Sequence, residues 1–347
     1  MHDHPGLDER LKVWAATDRL RSAAASTLAA LVAACRGIAA LVAAGPLVGD
    51  LAARQQEGAG GDFQTELDLR ANDLLVKALS DSPVAAIASE EMDAPLPLSP
   101  GAPVMVALDP LDGSSNIETN VSIGTIFSLL PAPPGSSGTE PAAFLRPGRE
   151  QIAAGYVIYG PQTALALTLG AGTDVFIFDA ARGSFVCTRA GIRVPPQARE
   201  FAINASNYRH WEPAVRTWFD DCLAGTEGPR AENFNMRWIA SMVAEAHRIL
   251  VRGGVYLYPG DARQGYRNGR LRLLYEANPI AFLMEQAGGC ASTGWERILD
   301  RTPRRLHERV PLIFGSSEEV ERIERYQRGQ APKGESSPLF AKRGLFV

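Results

Sequence analysis

The residues best suited to chemistry lie in one run, residues 109–116, which reads DPLDGSSN. The proline ends the apolar run before it and fixes a turn, so that the carboxylates of Asp109 and Asp112 can face one point together with the Leu111 carbonyl. Hard oxygen ligands of this kind suit magnesium or manganese. The run therefore predicts a site for a divalent metal ion.

The second half of the same run can bind a phosphate. Gly113 lets a ligand approach the backbone closely, and the N–H groups and hydroxyls of Ser114 and Ser115 can surround phosphate oxygens. A bare Asp-Gly-Ser turn most often only caps a helix. The full run, placed directly after an apolar segment, favours neighbouring metal and phosphate sites instead.

Acidic residues also follow two other predicted strands. Glu90 and Glu91 follow the apolar run 84–88. Glu276 follows the run 270–274. Adjacent like charges repel one another unless water or a cation stabilises them, and each acid alone fits a solvated loop. Ligand sites of open α/β sheets lie beyond the carboxyl ends of strands, so acids at three strand ends together indicate a shared metal site.

The first half of the chain alternates predicted helices and strands that can position these residues. Apolar residues from Leu28 to Val42 recur at intervals of three and four, which is typical of an amphipathic helix. A second helix is predicted over about 65–79, with Asp68 beside its apolar face. Short apolar runs predict strands at 84–88, 104–108, 122–130, 152–159, 163–168, 175–178 and 185–187. The Pro/Gly-rich segment 131–147 is predicted to be an exposed loop.

The second half repeats the alternation, which predicts an α/β fold with helices on the faces of its sheets. A helix over 279–286 is punctuated by Asn278 as a candidate cap and by two glycines past its end. The other predicted elements are strands at 201–204, 254–258 and 270–274 and helices at 212–223 and 234–250.

Two consecutive prolines, Pro195 and Pro196, interrupt the pattern, and we place a domain boundary there. The sequence thus predicts an N-terminal domain over 1–196 that carries the metal and phosphate groups. A C-terminal domain follows over 197–335. A loosely held tail ends the chain over 336–347.

Composition excludes several classes of partner. The chain has 347 residues, 46% of them hydrophobic, and a net charge of -4 with no basic stripe, so nucleic acid is not an expected partner. The apolar stretch 28–47 is broken by Arg36 and two glycines, so we expect a helix of the protein core rather than a membrane span or a signal peptide. The four cysteines are scattered without metal-site spacing, which suits a reducing cytoplasm.

Several runs together resemble the class 1 fructose-1,6-bisphosphatase family. They are SEE at 89–91, DPLDGSSN at 109–116, SIGTIF at 122–127 and GRLRLLYEANP at 269–279. The DPLDGS run is shared with the wider superfamily of lithium-sensitive phosphatases, whereas the last run is specific to the family. The resemblance, which spans about 62–317, implies a five-layered αβαβα fold and hydrolysis of the 1-phosphate of fructose 1,6-bisphosphate by metal-activated water. It also implies a homotetramer and a role in carbohydrate metabolism, in gluconeogenesis or in the Calvin cycle.

By the same resemblance, specific roles fall on acids of this chain. The implied ligands of Mg²⁺, or of Mn²⁺ as a substitute, are Glu90, Asp109, the Leu111 carbonyl, Asp112 and Glu276. Glu91 and Asp68 are implied to activate water, and Asp62 matches an acid of a mobile loop. For Glu91 or Asp68 alone, an ordinary salt bridge is an equal alternative.

The resemblance places a binding site for the second phosphate on four residues, Asn204, Arg237, Tyr258 and Arg270. Arg270 stands where the family usually has lysine. The compact ammonium group is thus replaced by a planar, forked guanidinium group. Trp238 stands in place of a tyrosine and Tyr208 is displaced by one position, so sugar specificity is open. Sedoheptulose 1,7-bisphosphate is an alternative or additional substrate. The third hypothesis is that the protein is a catalytically silent regulator that binds sugar phosphate.

Residues of the family's AMP site are absent. Where AMP-inhibited relatives have a Gly-Thr-Gly-Glu-Leu-Thr helix start, the segment 20–25 reads LRSAAA. A Lys-Tyr pair and an arginine of that site fall on Pro103, Val104 and Pro131, which have no side-chain donors. We therefore expect activity that is insensitive to AMP.

Overall fold

The computed structural model describes residues 5–57, 63–135 and 140–330. Its α-helices are α1 Leu7–Ala15, α2 Arg19–Ala44, α3 Glu66–Ser80, α4 Pro213–Leu223, α5 Met242–Arg252, α6 Asn278–Gln286 and α7 Ser317–Gln327. Its strands are β1 Arg54–Glu57, β2 Phe63–Thr65, β3 Val84–Ser89, β4 Leu96–Pro97, β5 Val104–Asp112, β6 Ile123–Pro131, β7 Ala153–Tyr159, β8 Thr163–Thr168, β9 Thr173–Asp179, β10 Ser184–Arg189, β11 Glu200–Ile203, β12 Asn235–Met236, β13 Val255–Tyr258, β14 Leu271–Arg272, β15 Cys290–Ser292, β16 Arg309–Val310 and β17 Leu312–Gly315.

The larger sheet has eight strands in the order β10-β9-β8-β7-β6-β5-β3-β4. All neighbours are antiparallel except β3 and β5, which run parallel. Every residue of β3, β5 and β7 is buried, because helices cover both faces of the sheet. The parallel pair matters for the site, since the carboxyl ends of both strands meet at one edge.

Helices α1 to α3 cover one face of this sheet. The predicted stripe on α2 is confirmed, with Leu28, Leu31, Cys35 and Ile38 fully buried in the core cluster shared with the sheet. Helix α2 begins earlier than the stripe suggests, since Asp18 caps it by accepting a hydrogen bond from the Arg21 backbone N–H at 2.8 Å.

The second sheet has five strands in the order β12-β11-β13-β17-β15. Helices α5 and α6 lie between the two sheets, and their buried residues share one cluster with Tyr156 of the first sheet and Phe314 of the second. Helices α4 and α7 cover the far face, where Trp218 and Ile323 are buried. The order is helices, sheet, helices, sheet, helices, so the predicted five-layered αβαβα fold is confirmed.

Two sequence predictions of elements are wrong. The segment 234–250 is not one helix: its start forms the edge strand β12, and α5 begins only after Ala240, which has a φ of 62°. The strand predicted at 270–274 ends at Arg272, and Leu273–Ala277 forms a π-helical turn that continues into α6. Asn278 is therefore inside a continuous helix and does not cap it.

The segment 131–147 is only partly the exposed loop that its composition predicts. Its described end contains a short 3₁₀ helix, Pro141–Ala143, and the following Phe144 is fully buried. The division into two domains stays a prediction, since α5 and α6 pack on both sheets.

One helical segment of the described residues, Arg19–Val48, is long and apolar enough to cross a membrane by length and composition. One face of it packs on the larger sheet, and a helix of a protein core passes the same test. The expectation that the chain does not insert into membranes stays a prediction.

Candidate active site

A cavity of about 500 Å³ opens beyond the carboxyl ends of β3 and β5. Most of the acids and small residues singled out in the sequence line it. The predicted residues in its wall are Asp68, Glu90, Glu91, Asp109, Leu111, Asp112, Gly113, Ser114, Ser115, Arg270 and Glu276. Asp62 lies outside the described residues.

The parallel pairing of β3 and β5 brings the first two metal-ligand candidates together. Ser89 lies opposite Leu108 in the ladder, and the Glu90 N–H donates to the Leu108 carbonyl at 3.0 Å. Glu90 therefore lies beside Asp109. Carboxylate oxygens of these two residues and of Glu276 lie within 4.8 Å of one another.

Glu276 reaches the cavity from the π-helical turn, not from a strand end as predicted. Its carboxylate accepts a hydrogen bond from the Arg272 backbone N–H, which fixes the turn across four residues. A π-helical turn widens the backbone spiral by one residue and is frequent at functional sites. Glu276 therefore lines the cavity as predicted, but a π-helical turn positions it there instead of a strand end.

A bulge at the end of β5 shapes the run 109–116. The register against β6 shifts between Asp109 and Asp112, so that two residues on β5 lie opposite Thr125. The Leu111 N–H donates to Asp109 Oδ1 at 2.9 Å, which holds the bend. Asp112 Oδ2 accepts from the Val243 N–H at 2.9 Å, in the first turn of α5.

Gly113 follows with a φ of 83°, a conformation that favours glycine, and starts the 3₁₀ turn Ser114–Asn116. Ser114 and Ser115 of this turn line the cavity, where their hydroxyls and backbone N–H groups could bind an anion. Asn116 donates from its amide to the Ala240 carbonyl at 2.8 Å, which ties the turn to the segment before α5.

The buried carboxylates repel one another, and their pKa values rise. Burial raises the pKa of Asp109 well above its usual range, and the charges of Glu90 and Glu276 raise it further. Burial raises the pKa of Asp112 to about 7, although the hydrogen bond from Val243 opposes the rise. Crowded carboxylates of this kind fit a divalent cation, which neutralises them and accepts oxygen ligands.

Glu91 and Asp68 form a second acidic pair in the cavity. Burial raises the pKa of Glu91 to about 8, with further increases from the charges of Asp68 and Glu90. Gln64 donates to the Glu91 carboxylate. Asp68 belongs to the capping box at the start of α3, where it accepts from the Thr65 N–H at 2.6 Å and from the Thr65 hydroxyl at 2.8 Å.

Arg272 is a cavity residue that our sequence reasoning missed. Its guanidinium is buried and forms an ion pair with Glu90 at 2.7 Å. Arg272 follows Arg270 by two positions, and both line the cavity. Alternate residues of a strand lie on the same face, so the Arg-Leu-Arg spacing could have indicated Arg272. Gln64 and Glu118 also line the cavity and were not predicted.

The four residues implied for the second phosphate do not all meet. Arg270 lines the main cavity, whereas Asn204 and Tyr258 line a smaller pocket nearby. Burial raises the pKa of Tyr258 and the Arg270 charge opposes that rise, so Arg270 lies near Tyr258. Arg237 is half exposed and pairs with Glu200 at 3.4 Å, away from both pockets.

Two of the residues that depart from the family pattern have structural partners. Trp238 stacks on Tyr256 with ring centroids 5.9 Å apart and planes at 11°. The Tyr208 hydroxyl donates to the Asp220 carboxylate at 2.9 and 3.0 Å. Trp238 thus packs on β13, and Tyr208 is held by a residue of α4.

Comparison with known families agrees with this architecture. The sequence model of the fructose-1-6-bisphosphatase N-terminal domain family matches residues 8–190, and the sequence model of the C-terminal domain family matches residues 194–328. A "Fructose-1,6-bisphosphatase class 1 1" from Xanthobacter autotrophicus is 56% identical over 337 residues, which cover 97% of this chain and 91% of the relative. A class 1 fructose-1,6-bisphosphatase from Rhizobium meliloti is 59% identical over 286 residues, 82% of each chain.

Solved structures agree at lower identity. The holo form of Leishmania major fructose-1,6-bisphosphatase superposes with a TM-score of 0.87 at 32% identity, covering 94% of this chain and 99% of that one. The apo form of the same protein gives a TM-score of 0.82 at 30% identity, with the same coverage. With both domain models matched and relatives similar over nearly the whole length, the chain belongs to the class 1 fructose-1,6-bisphosphatase family.

Proposed function

We propose that this protein hydrolyses the 1-phosphate of fructose 1,6-bisphosphate, giving fructose 6-phosphate and inorganic phosphate. One observation carries the proposal: the acidic cluster of Glu90, Asp109 and Glu276 lies in the same cavity as the phosphate-binding turn 113–115. A metal site next to a phosphate site is the arrangement that phosphoryl transfer to water needs.

The metal-binding part of the proposal rests on the oxygen donors of the cluster. Glu90, Asp109, the Leu111 carbonyl, Asp112 and Glu276 would hold Mg²⁺, or Mn²⁺ in its place. When bound, the metal lowers the pKa of a water molecule and stabilises negative charge on the phosphoryl and leaving oxygens. Only oxygen donors are offered, which favours these hard cations over zinc or copper.

Glu91 would take the proton of the attacking water. Burial raises the pKa of Glu91 to about 8, and cations bound nearby would lower that pKa, so that the base form would dominate. Gln64 holds the Glu91 carboxylate in place, and the Asp68 charge beside it favours proton uptake.

The turn from Gly113 to Ser115 would bind the 1-phosphate. Gly113 has no side chain to block the approach, and the hydroxyls of Ser114 and Ser115 can donate to phosphate oxygens. Asp112 joins this turn to the proposed metal ligands, so the residues that would hold the metal adjoin the donors that would bind the phosphate.

The remaining parts of the proposal concern the distal phosphate and the assembly. Arg270 would contact the distal phosphate, with Tyr258 and Asn204 in the adjoining pocket. Arg237, which is half exposed, would reach the site of a neighbouring subunit in a homotetramer. We place the enzyme in the cytoplasm, consistent with four free cysteines in the described chain.

Sedoheptulose 1,7-bisphosphate is the second candidate substrate, because Arg270 and Trp238 change the distal side and leave the reacting end as it is. Purified protein is assayed for phosphate release from both bisphosphates, with Mg²⁺ and with excess chelator. We expect Mg²⁺-dependent release from fructose 1,6-bisphosphate. Release from neither sugar under any metal condition would favour the silent regulator and contradict the proposal.

A further inference from the structure

A buried chain of two hydroxyl groups ends on the carbonyl of Pro110, inside the metal-binding run. The Thr125 hydroxyl donates to this carbonyl at 2.8 Å. The Tyr159 hydroxyl lies 2.7 Å from the same Thr125 oxygen. The Cys35 side chain of α2 lies beside these hydroxyls, and all three side chains are buried.

The bulge explains why Pro110 needs this partner. On β5 and β6, Asp109 lies opposite Ile126 and Asp112 lies opposite Gly124, so that Pro110 and Leu111 have only Thr125 opposite them. A bulge removes backbone groups from the regular ladder, and a buried carbonyl without a donor is costly. The Thr125 side chain supplies the donor that the ladder does not.

The protons of the chain can be assigned in one direction. A carbonyl only accepts, so the single Thr125 proton goes to Pro110, and Thr125 must accept from Tyr159. Burial raises the pKa of Tyr159 well above its usual range, so Tyr159 keeps the proton that it donates.

We infer that Thr125 and Tyr159 are positioning residues for the metal site. They fix the bulge so that the Leu111 carbonyl and Asp112 face the cavity. Neither Thr125 nor Tyr159 is among the described residues that line the cavity, so they act through the backbone of the bulge. The inference rests on the proposed metal site.

The test is metal binding by the full-length protein without substrate. The affinity for Mn²⁺ is measured by electron paramagnetic resonance of the free ion, after chelator treatment and dialysis. Thr125→Val keeps the shape and removes the donor, and we expect it to weaken Mn²⁺ binding by about tenfold, as loss of outer-shell hydrogen bonds does. Thr125→Ser keeps a hydroxyl and is expected to bind like the wild type, while Tyr159→Phe gives a smaller loss than Thr125→Val.

Thr168→Val is the matched control. Thr168 is also buried in the larger sheet, and its hydroxyl donates to the Gly172 carbonyl at 2.7 Å, in the turn after β8. We expect this variant to lower the melting temperature without changing Mn²⁺ affinity. An equal loss of Mn²⁺ affinity in Thr168→Val would overturn the inference, because the effect would then be one of general stability.

Two further outcomes separate this inference from the proposed function. Unchanged Mn²⁺ affinity in both Thr125→Val and Tyr159→Phe overturns the inference alone. A wild-type protein that does not bind Mn²⁺ contradicts the proposed metal site and the inference with it. If Thr125→Val does not fold, Tyr159→Phe decides, since it removes one hydroxyl and keeps the ring.

Discussion

Glu90 and Glu91 are adjacent in sequence, but their side chains have different surroundings. Glu90 meets Asp109 and Glu276 and pairs with Arg272. Glu91 points toward Gln64, and its pKa is raised by burial. Two carboxylates with different surroundings can take different roles, one as a ligand and one as a base.

The role of Glu91 as a base can be tested by Glu91→Gln. The change removes the proton acceptor and keeps the shape, so we expect kcat to fall by about 100-fold or more, with the Mg²⁺ concentration for half-maximal activity changed much less. Glu118→Gln is the matched control, since Glu118 lines the same cavity but is exposed. Similar small losses in both variants would show that Glu91 is not the base.

Arg270 is the residue on which sugar specificity depends most in this account. Arg270→Lys restores the residue usual in the family and removes the planar fork, so KM for fructose 1,6-bisphosphate should rise by about tenfold if the fork binds the distal phosphate. The Mg²⁺ dependence should not change. Steady-state kinetics with both bisphosphates measure this, and an unchanged KM for each sugar would place the distal phosphate elsewhere.

Much of the site could be predicted at this scale because its groups are close in sequence. The run 109–116 carries its own turn, glycine and donors, and local chemistry defines it. The ion pair between Arg272 and Glu90 joins residues far apart in the chain. No local pattern specifies which acid a given arginine meets, so that contact required the structure.

At the scale of elements, helices with a regular apolar stripe were predicted well and irregular ones were not. Helix α3 lies within a residue of its predicted bounds because the capping residue and the stripe are both local. The segment before α5 has apolar residues at helical spacing, yet residues 235 and 236 pair with β11, a distant strand. Tertiary pairing of this kind overrides local propensity.

The start of α2 bears on regulation. Asp18 places a carboxylate at the first N–H groups of this helix, where AMP-inhibited relatives are expected to bind the nucleotide phosphate. A negative cap repels a phosphate and already uses one donor. We therefore expect no inhibition of the purified enzyme by sub-millimolar AMP, and a concentration-dependent loss of phosphate release would contradict this interpretation of α2.

For the whole molecule, burying several acids in one cavity makes stability depend on pH and metal together. The pKa of Glu91 is about 8 and that of Asp112 about 7, both raised above the unfolded values. Without metal, the folded protein then binds more protons than the unfolded chain. The contribution of these groups to the free energy of unfolding is therefore full below about pH 4 and is lost as pH rises through about 7 to 8.

Metal should offset this loss. Mg²⁺ competes with protons for the carboxylates, so we expect it to raise the melting temperature more at pH 8 than at pH 5. Differential scanning calorimetry of the same protein with Mg²⁺ and with chelator measures the difference at each pH, so titrations elsewhere in the molecule largely cancel. An equal or larger Mg²⁺ effect at pH 5 would contradict the crowding of acids that we describe.

The layered architecture was predictable as a class, whereas the arrangement of the cavity was not. Alternating helices and strands favour sheets covered by helices. The parallel pairing of β3 with β5, which brings Glu90 beside Asp109, depends on strand order across the sheet. Their positions after predicted strands indicated that these acids share a site, and the resemblance to a family supplied the individual roles.

The central claim is that the acids at these strand ends bind the metal that hydrolysis requires. The most direct test is a Mg²⁺ titration of fructose 6-phosphate formation by chelator-treated wild-type protein and by Asp109→Asn. We predict no product without metal, saturable activity with Mg²⁺ in the wild type, and a loss of about 100-fold or more in the folded variant. Full activity of the wild type in excess chelator, or wild-type activity of Asp109→Asn, would contradict the account.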